Sequence, residues 1–315
     1  MNLKVVSAFA TAIALSITIG SVSVNNAFAC TSDGKSGFAP ENNLSIPVDS
    51  FNAGPMTESE FNGIIAKAVN YYIPVFAAQG RKYTMIANWK DSTVNAFANR
   101  SGSDSEVHMF GGLARHPKMT PDGFMLVICH ETGHHLGGAP KNHSFFGIGN
   151  WASNEGEADY YATLKCSREM WKNEDNAAVV AHMPLPRSVI SGCQKSFDKA
   201  PDVALCERAV MAGKDLGDTL ADMGKTAETD FDHPDTHVVT KMFDAHPDAQ
   251  CRLDTYLAGA VCAKASTDPL SDKDARVGTC AQEVGEVVGI RPRCWYKLQV
   301  GDGSSSGSMW PKSLR

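Results

Sequence analysis

Features that define several large classes of proteins are missing from this sequence of 315 residues. It has no basic block, no interleaving of aromatic and basic residues, and a formal net charge of −6, so nucleic acid is not expected as a partner. No internal repeat is visible, which excludes solenoids and other repeat architectures. After the first 30 residues there is no long apolar run, so we expect no membrane-spanning segment in the remainder.

Residues 1–29 have the pattern of a signal peptide. Lys4 gives a positive start, residues 5–19 are apolar, and Ala27-Phe28-Ala29 matches an A-x-A cleavage site. A lipoprotein site is the rival interpretation, because Cys30 would become the first mature residue. Phe28 fits poorly in the small-residue box that a lipoprotein site needs, so we favour ordinary cleavage. The expected location is the periplasm or the outside of the cell.

Nine cysteines in an exported chain predict disulfides, but nine is an odd number. Cys129 is the expected leftover, a buried and inert thiol inside an apolar helix. Cys251 and Cys262 share one predicted helix, about 16 Å apart, and should not pair with each other. The eight cysteines available for four bridges are Cys30, Cys166, Cys193, Cys206, Cys251, Cys262, Cys280 and Cys294.

An H-E-x-x-H motif lies inside a strong helix signal over residues 121–136. Its N-terminal signals are a Thr120 cap and a first-turn Pro121, and a Gly-Gly pair follows its end. His130 and His134 are then one turn apart on one face, as two zinc ligands require. Glu131 lies where its carboxylate can act as a general base on the zinc-bound water.

The third ligand distinguishes two classes of zinc peptidase. The metzincin pattern ends in a histidine, but Pro140 occupies that position and cannot bind metal. The gluzincin pattern needs E-x-x-x-D on a second helix, and Glu155 with Asp159 provides it. Glu155 would complete the coordination, and Asp159 would accept the second N–H of a liganding histidine. Glu157 should face away and form a capping box with Asn154.

These motifs resemble the peptidase family of the heat-shock protease HtpX and the CAAX prenyl endopeptidase, in its soluble exported branch. Besides the zinc motif, the resemblance rests on N-A-F-A at residues 95–98, G-L at residues 112–113, and H-P-x-x-x-x-R at residues 246–252. It implies that Asn95 and Ala96 form the strand edge that binds an extended substrate. It also implies that His246 approaches the zinc or the oxyanion, with Arg252 fixing its segment.

The predicted fold class is α+β, a mainly helical zincin-like domain with a small antiparallel sheet and a disulfide-containing C-terminal region. Strands are predicted at residues 83–89, 94–99 and 106–111, and later helices at residues 203–211, 238–245 and 248–262. The expected regions are the signal peptide (1–29), an extended leader (30–56), the zinc peptidase domain (57–263) and a Cys-containing extension with a Gly/Ser tail (264–315).

The predicted function is hydrolysis of peptide bonds in exported or envelope proteins, with one Zn²⁺ per chain and a protein or peptide as substrate. Two alternatives stay open. A periplasmic chaperone or binding module would carry a silenced zinc, with His246 as a fourth ligand. A metallo-amidase would apply the same chemistry to cell-wall peptides. The sequence gives no oligomeric state.

Overall fold

The computed structural model describes residues 37–143 and 149–299, with the backbone of Ala27–Phe28. The rest of the predicted signal peptide, Cys30 and the Gly/Ser tail lie outside the described residues. In that described part, no helix has both the length and the apolar character needed to cross a bilayer.

Helices make up most of the regular structure, together with two small sheets. In chain order the elements are β1 (Ala27–Phe28), α1 (Glu58–Ala77), β2 (Lys82–Asn88), β3 (Ala96–Ser101), β4 (Asp104–Phe110), α2 (Gly111–Ala114), α3 (Pro121–Leu136), β5 (Lys141–His143), β6 (Gly149–Ser153), α4 (Glu155–Tyr161), α5 (Ser167–Trp171), α6 (Asn176–Val180), α7 (Arg187–Ser196), α8 (Ala200–Gly224) and α9 (Ala249–Val261). A π-helical turn (Ala162–Cys166) joins α4 to α5. The predicted α+β class is confirmed.

The H-E-x-x-H motif lies on α3, which has the predicted bounds. The Thr120 hydroxyl accepts a hydrogen bond from the Gly123 N–H at 3.0 Å, and Pro121 occupies the first turn. After the helix ends, Gly138 adopts a positive φ of 80°, which a residue with a side chain rarely does. Residues 123–135 are all buried, so α3 is the central helix of the core rather than a surface helix.

The main sheet has the strand order β1-β3-β4-β2 and differs from the predicted antiparallel sheet. β3 and β4 form an antiparallel hairpin, whereas β2 pairs parallel to β4. The connection from β2 to β3 is longer than a tight turn. The Arg115 guanidinium fixes this connection by donating hydrogen bonds to the carbonyls of Trp89 and Asp91. In the sheet, β4 lies between β2 and β3.

The helix predicted at residues 238–245 is wrong, since this segment has no regular structure. Its backbone bonds instead to the C-terminal region: the N–H groups of Val239 and Phe243 donate to the carbonyls of Arg293 and Trp295, each at 3.0 Å. The competing partner lies more than 50 residues away in the chain, and a local pattern does not show it.

Cys129 is not the unpaired cysteine, which corrects the sequence prediction. It forms a disulfide with Cys166, where the π-helical turn packs along α3 with the two Cα atoms 5.4 Å apart. Its side chain points away from the ligand histidines, but toward another cysteine. The predicted absence of a Cys251–Cys262 bridge is confirmed, because the other pairs are Cys193–Cys206, Cys251–Cys294 and Cys262–Cys280.

The segment after α9 packs beneath α4. The Trp295 indole covers Gly156, where a Cβ atom would lie 2.1 Å from the ring, and its Nε1 donates to the Thr255 hydroxyl at 2.9 Å. Arg291 pairs with the buried Glu157 carboxylate. The cysteine-containing C-terminal region therefore supports the helix that begins with Glu155.

Replacing Cys129 and Cys166 together by alanine should lower the free energy of unfolding by about 3–4 kcal/mol, because a disulfide that closes a 37-residue loop restricts the unfolded chain. The control pair Cys193→Ala/Cys206→Ala opens a loop of 13 residues and should cost about 1 kcal/mol less. Chemical denaturation without reductant measures both. A free thiol at Cys129 in the denatured, unreduced chain would contradict the pairing.

Candidate metal centre

Three buried side chains from two helices face one another at the centre of the molecule. His130 and His134 project from one face of α3, and Glu155 is the first residue of α4. The Nε2 atoms of His130 and His134 lie 3.2 and 3.6 Å from the Glu155 carboxylate oxygens. One ligand atom from each residue falls within 4.8 Å of the other two, so the three could hold one metal ion.

These side chains carry buried nitrogen and oxygen atoms that are suited to bind a cation. His130 Nε2, His134 Nε2 and Glu155 Oε2 are buried and have no hydrogen-bond partner among the described residues, despite their close approach. Both carboxylate oxygens of Glu131 are likewise buried and unpartnered. Buried polar atoms are normally hydrogen-bonded. Two imidazole nitrogens and a carboxylate oxygen are a donor set that suits zinc, with a position left for water.

The comparison with protein families agrees with this geometry. A model of peptidase family M48 matches residues 60–258. The chain belongs to peptidase family M48. No curated protein and no solved structure matches it. Family membership confirms the predicted resemblance and indicates a metallopeptidase hydrolase.

In this M48 member, both histidines are oriented through their Nδ1 atoms. His130 Nδ1 lies 2.7 Å from an oxygen of Asp159, and His134 Nδ1 lies 2.8 Å from the Ser153 carbonyl. Since both partners accept hydrogen bonds, Nδ1 of each ring carries the proton. The Nε2 atoms of both rings then face the space shared with Glu155, where a metal would be coordinated.

Asp159 is itself held by α9. The Arg252 Nε and Nη2 atoms each donate to one of its oxygens at 2.7 Å, and the Tyr256 hydroxyl donates to it at 2.6 Å. Arg252 was predicted from the motif, but as the residue that fixes the segment of His246. Tyr256 was missed, although its position four residues after Arg252 places the two on one face of α9.

Charge and burial shift the pKa values of His130 and His134 in opposite directions. Burial lowers the pKa of His134 to about 4, which leaves this ring neutral. Burial also acts to lower the pKa of His130, but the Asp159 and Glu155 carboxylates outweigh it and raise that pKa to about 9. A metal must therefore displace a proton from His130 when it binds. Burial works against the ionised form of Glu155, but the three surrounding histidines hold its pKa well below the usual range.

Glu131 has the electrostatics of a base. It follows His130 on α3, and burial raises the pKa of its carboxyl group to about 8. A bound cation would lower this pKa again. The Glu131 carboxyl group is thus buried beside the candidate metal ligands, a position that suits a general base.

His246 lies beside the metal ligands without joining them. Its Nε2 is 3.6 Å from Glu155 Oε2, yet the described ligand cluster contains only His130, His134 and Glu155. The same nitrogen lies 2.5 Å from the Gly37 carbonyl oxygen. A position next to a backbone carbonyl suits a donor to an oxyanion better than a fourth ligand.

The predicted substrate-binding edge is occupied by the chain's own leader. The Ala96 carbonyl accepts a hydrogen bond from the Phe38 N–H at 2.8 Å. The Asn95 side chain accepts from the Ala39 N–H at 2.9 Å and donates to the Ala39 carbonyl at 3.1 Å. Asn95 and Ala96 thus bind a peptide segment, but that segment is the bend at residues 37–39 of the same chain, which no local sequence pattern indicates.

The expected capping box at α4 is half present. The Asn154 side chain accepts a hydrogen bond from the Glu157 N–H at 2.9 Å. The Glu157 carboxylate does not return this bond to the backbone but pairs with Arg291 through contacts of 2.5 and 2.7 Å. A buried carboxylate gains more from a bidentate guanidinium than from a backbone N–H.

Asp159→Asn should weaken metal affinity by about 10- to 100-fold, because the amide no longer fixes the charge and orientation of His130. The matched control is Asp254→Asn. Asp254 is a carboxylate on α9 that accepts a hydrogen bond from Gln250 instead of a histidine of the centre. Competition with a chromophoric chelator measures both affinities, after circular dichroism has shown native folding. Equal affinities in the two variants would contradict the role given to Asp159.

Proposed function

We propose that this M48 member is a zinc-dependent endopeptidase that hydrolyses peptide bonds of exported proteins. His130, His134 and Glu155 hold the metal, and Glu131 is the general base. The observation that carries this proposal is the set of buried, unpartnered donor atoms on these four residues. A purely structural ion would leave the Glu131 carboxylate without a task.

The division of work among the residues follows from their positions. When bound, zinc would polarise the scissile carbonyl and lower the pKa of water in the site. Glu131 accepts a proton from the attacking water and passes it to the nitrogen of the leaving amine. His246 donates a hydrogen bond to the carbonyl oxygen as negative charge develops on it. Asn95, Ala96 and Arg252 hold the peptide backbone.

Cleavage within a chain, rather than at its end, is supported by what already lies on the strand edge. Residues 37–39 belong to the interior of the chain, and they pair with Asn95 and Ala96 through ordinary peptide groups. These contacts include no group that recognises a terminal ammonium or carboxylate. The cleft therefore suits an endopeptidase.

Action outside the cytoplasm is supported by the covalent chemistry of the chain. Four disulfides link its described helices and C-terminal region. Such bonds persist in oxidising compartments and are rare in the cytosol. With the signal peptide predicted at residues 1–29, they point to substrates in the periplasm or outside the cell.

Glu131→Gln should retain bound zinc and lower casein hydrolysis by about 10²-fold or more, because the amide cannot take the proton from water. Glu58→Gln, an exposed position on α1, is the control and should behave as the wild type. Metal analysis and release of fluorescent peptides from casein give the two readouts. A Glu131→Gln variant that digests casein at the wild-type rate rules out the mechanism.

Removal of the metal should abolish hydrolysis, and added Zn²⁺ should restore it while Mg²⁺ should not, because imidazole ligands select zinc over hard cations. The same preparations incubated with purified peptidoglycan separate peptidase from amidase activity. Release of amino groups from peptidoglycan but not from casein would replace the proposed function by the amidase alternative.

A further inference from the structure

The segment Gly37–Ala39, called the leader segment here, lies as a bent stretch of chain beside the candidate metal ligands, and its Gly37 N–H donates to its own Ala39 carbonyl at 3.1 Å. Its Phe38 N–H donates to the Ala96 carbonyl at the start of β3, and both backbone groups of Ala39 bond to the Asn95 side chain. Its two remaining carbonyls are bound as well. Phe38 O accepts from Arg252 Nη1 at 2.5 Å, and Gly37 O lies 2.5 Å from His246 Nε2.

These contacts single out one peptide bond. The Gly37 carbonyl lies on His246, whose Nε2 is itself 3.6 Å from the metal ligand Glu155. The residue after this carbonyl, Phe38, is fully buried against the centre. Its ring meets the His130 ring edge-on at 5.5 Å and lies under the Arg252 guanidinium at 4.6 Å. The bond between Gly37 and Phe38 therefore lies next to the ligand set.

The site also has a chemical preference on each side of this bond. A Cβ atom on Gly37 would lie 1.8 Å from the Ala96 carbonyl oxygen, so a side chain cannot fit before the bond. After the bond, the pocket holds a phenyl ring between His130 and Arg252. Beyond Ala39, a cavity of about 570 Å³ lined by His246 and Arg252 continues the cleft.

We propose that this enzyme cuts its own chain between Gly37 and Phe38, and that glycine followed by a large aromatic residue is the sequence it prefers in other proteins. The inference rests on the proposed peptidase function. In this step water adds its oxygen to the Gly37 carbonyl carbon, and the C–N bond to Phe38 breaks. The products are a carboxylate at Gly37 and an ammonium at Phe38: Glu131 takes a proton from the water and passes it to the leaving nitrogen, and the second proton of the water follows it there, so Glu131 ends as the carboxylate it began as.

Self-cleavage would also control access to the cleft. Before the cut, the leader segment fills the strand edge, the pocket beside His130 and the contact to His246. Further along the chain the leader is fixed to the body, because Arg115 binds the Ile46 carbonyl and the Ile46 N–H donates to Ser92. The new chain end at Phe38 lies only eight residues before this anchor, so it can leave the pocket while the fold is retained.

The first test is the N-terminus of the full chain after export from a bacterial host, read by intact mass and N-terminal sequencing. The wild type should begin at Phe38, whereas Glu131→Gln should retain Gly37. Gly37→Ala should also stay uncut, because its Cβ meets the Ala96 carbonyl. The control Gly63→Ala, where nothing lies within 4 Å of the added Cβ, should be cut as the wild type is.

The outcomes separate this inference from the proposed function. A wild type that digests casein and still carries Gly37 overturns self-cleavage and leaves the peptidase intact. The same holds if Glu131→Gln also begins at Phe38, because another protease has then made the cut. A zinc-loaded wild type that cuts neither casein nor its leader overturns the peptidase function itself.

A binding experiment provides a readout without turnover. The probe is the labelled peptide acetyl-Gly-Phe-Ala-Pro-Glu, and fluorescence anisotropy gives its Kd in Glu131→Gln backgrounds. In Glu131→Gln and Glu131→Gln/Gly63→Ala, the leader segment should compete with the probe for the cleft. In Glu131→Gln/Gly37→Ala, the added Cβ atom should expel the leader segment, so the Kd of the probe should fall about tenfold or more. Equal Kd values in all three would show that the leader segment does not occupy the cleft.

Discussion

One buried carboxylate, Asp159, joins the parts of this active site. Its oxygens bind His130 on α3 and Arg252 on α9 at 2.7 Å. Buried charges are costly unless they are paired and hydrogen-bonded, and here the histidine, the guanidinium and the Tyr256 hydroxyl satisfy the carboxylate together. Glu155 lies one turn earlier on α4, so the contacts that fix Asp159 also turn Glu155 toward the histidines.

The same network connects the cluster of His130, His134 and Glu155 to residues 37–39. Arg252 supports Asp159 with one side of its guanidinium and binds the Phe38 carbonyl with the other. Residues 37–39 are therefore held by a group whose own orientation depends on the helix that carries the candidate ligand Glu155. This arrangement places the Gly37 carbonyl beside His246, which itself lies next to Glu155.

Local chemistry made α3 and the convergence of His130, His134 and Glu155 predictable, because caps, an i, i+4 histidine pair and an E-x-x-x-D spacing are all short-range signals. The features that were not predicted depend on contacts between residues that are far apart in the chain. Cys129 pairs with Cys166, residues 238–245 bond to a distant turn at residues 293–295 instead of forming a helix, and β2 lies parallel to β4. Residues 37–39 read as a plain leader, since only the folded chain brings them to Asn95.

The most direct test of the account is X-ray absorption at the zinc edge of the zinc-loaded full chain. It should find two imidazole nitrogens and light oxygen ligands, all at roughly 2.0–2.1 Å, and Glu155→Ala should lose one oxygen ligand or the metal itself. Glu58→Ala, at an exposed position on α1, is the control, and its zinc spectrum should match that of the wild type. An unchanged zinc environment in Glu155→Ala, or a sulfur ligand in the wild type, would contradict a centre built from His130, His134 and Glu155.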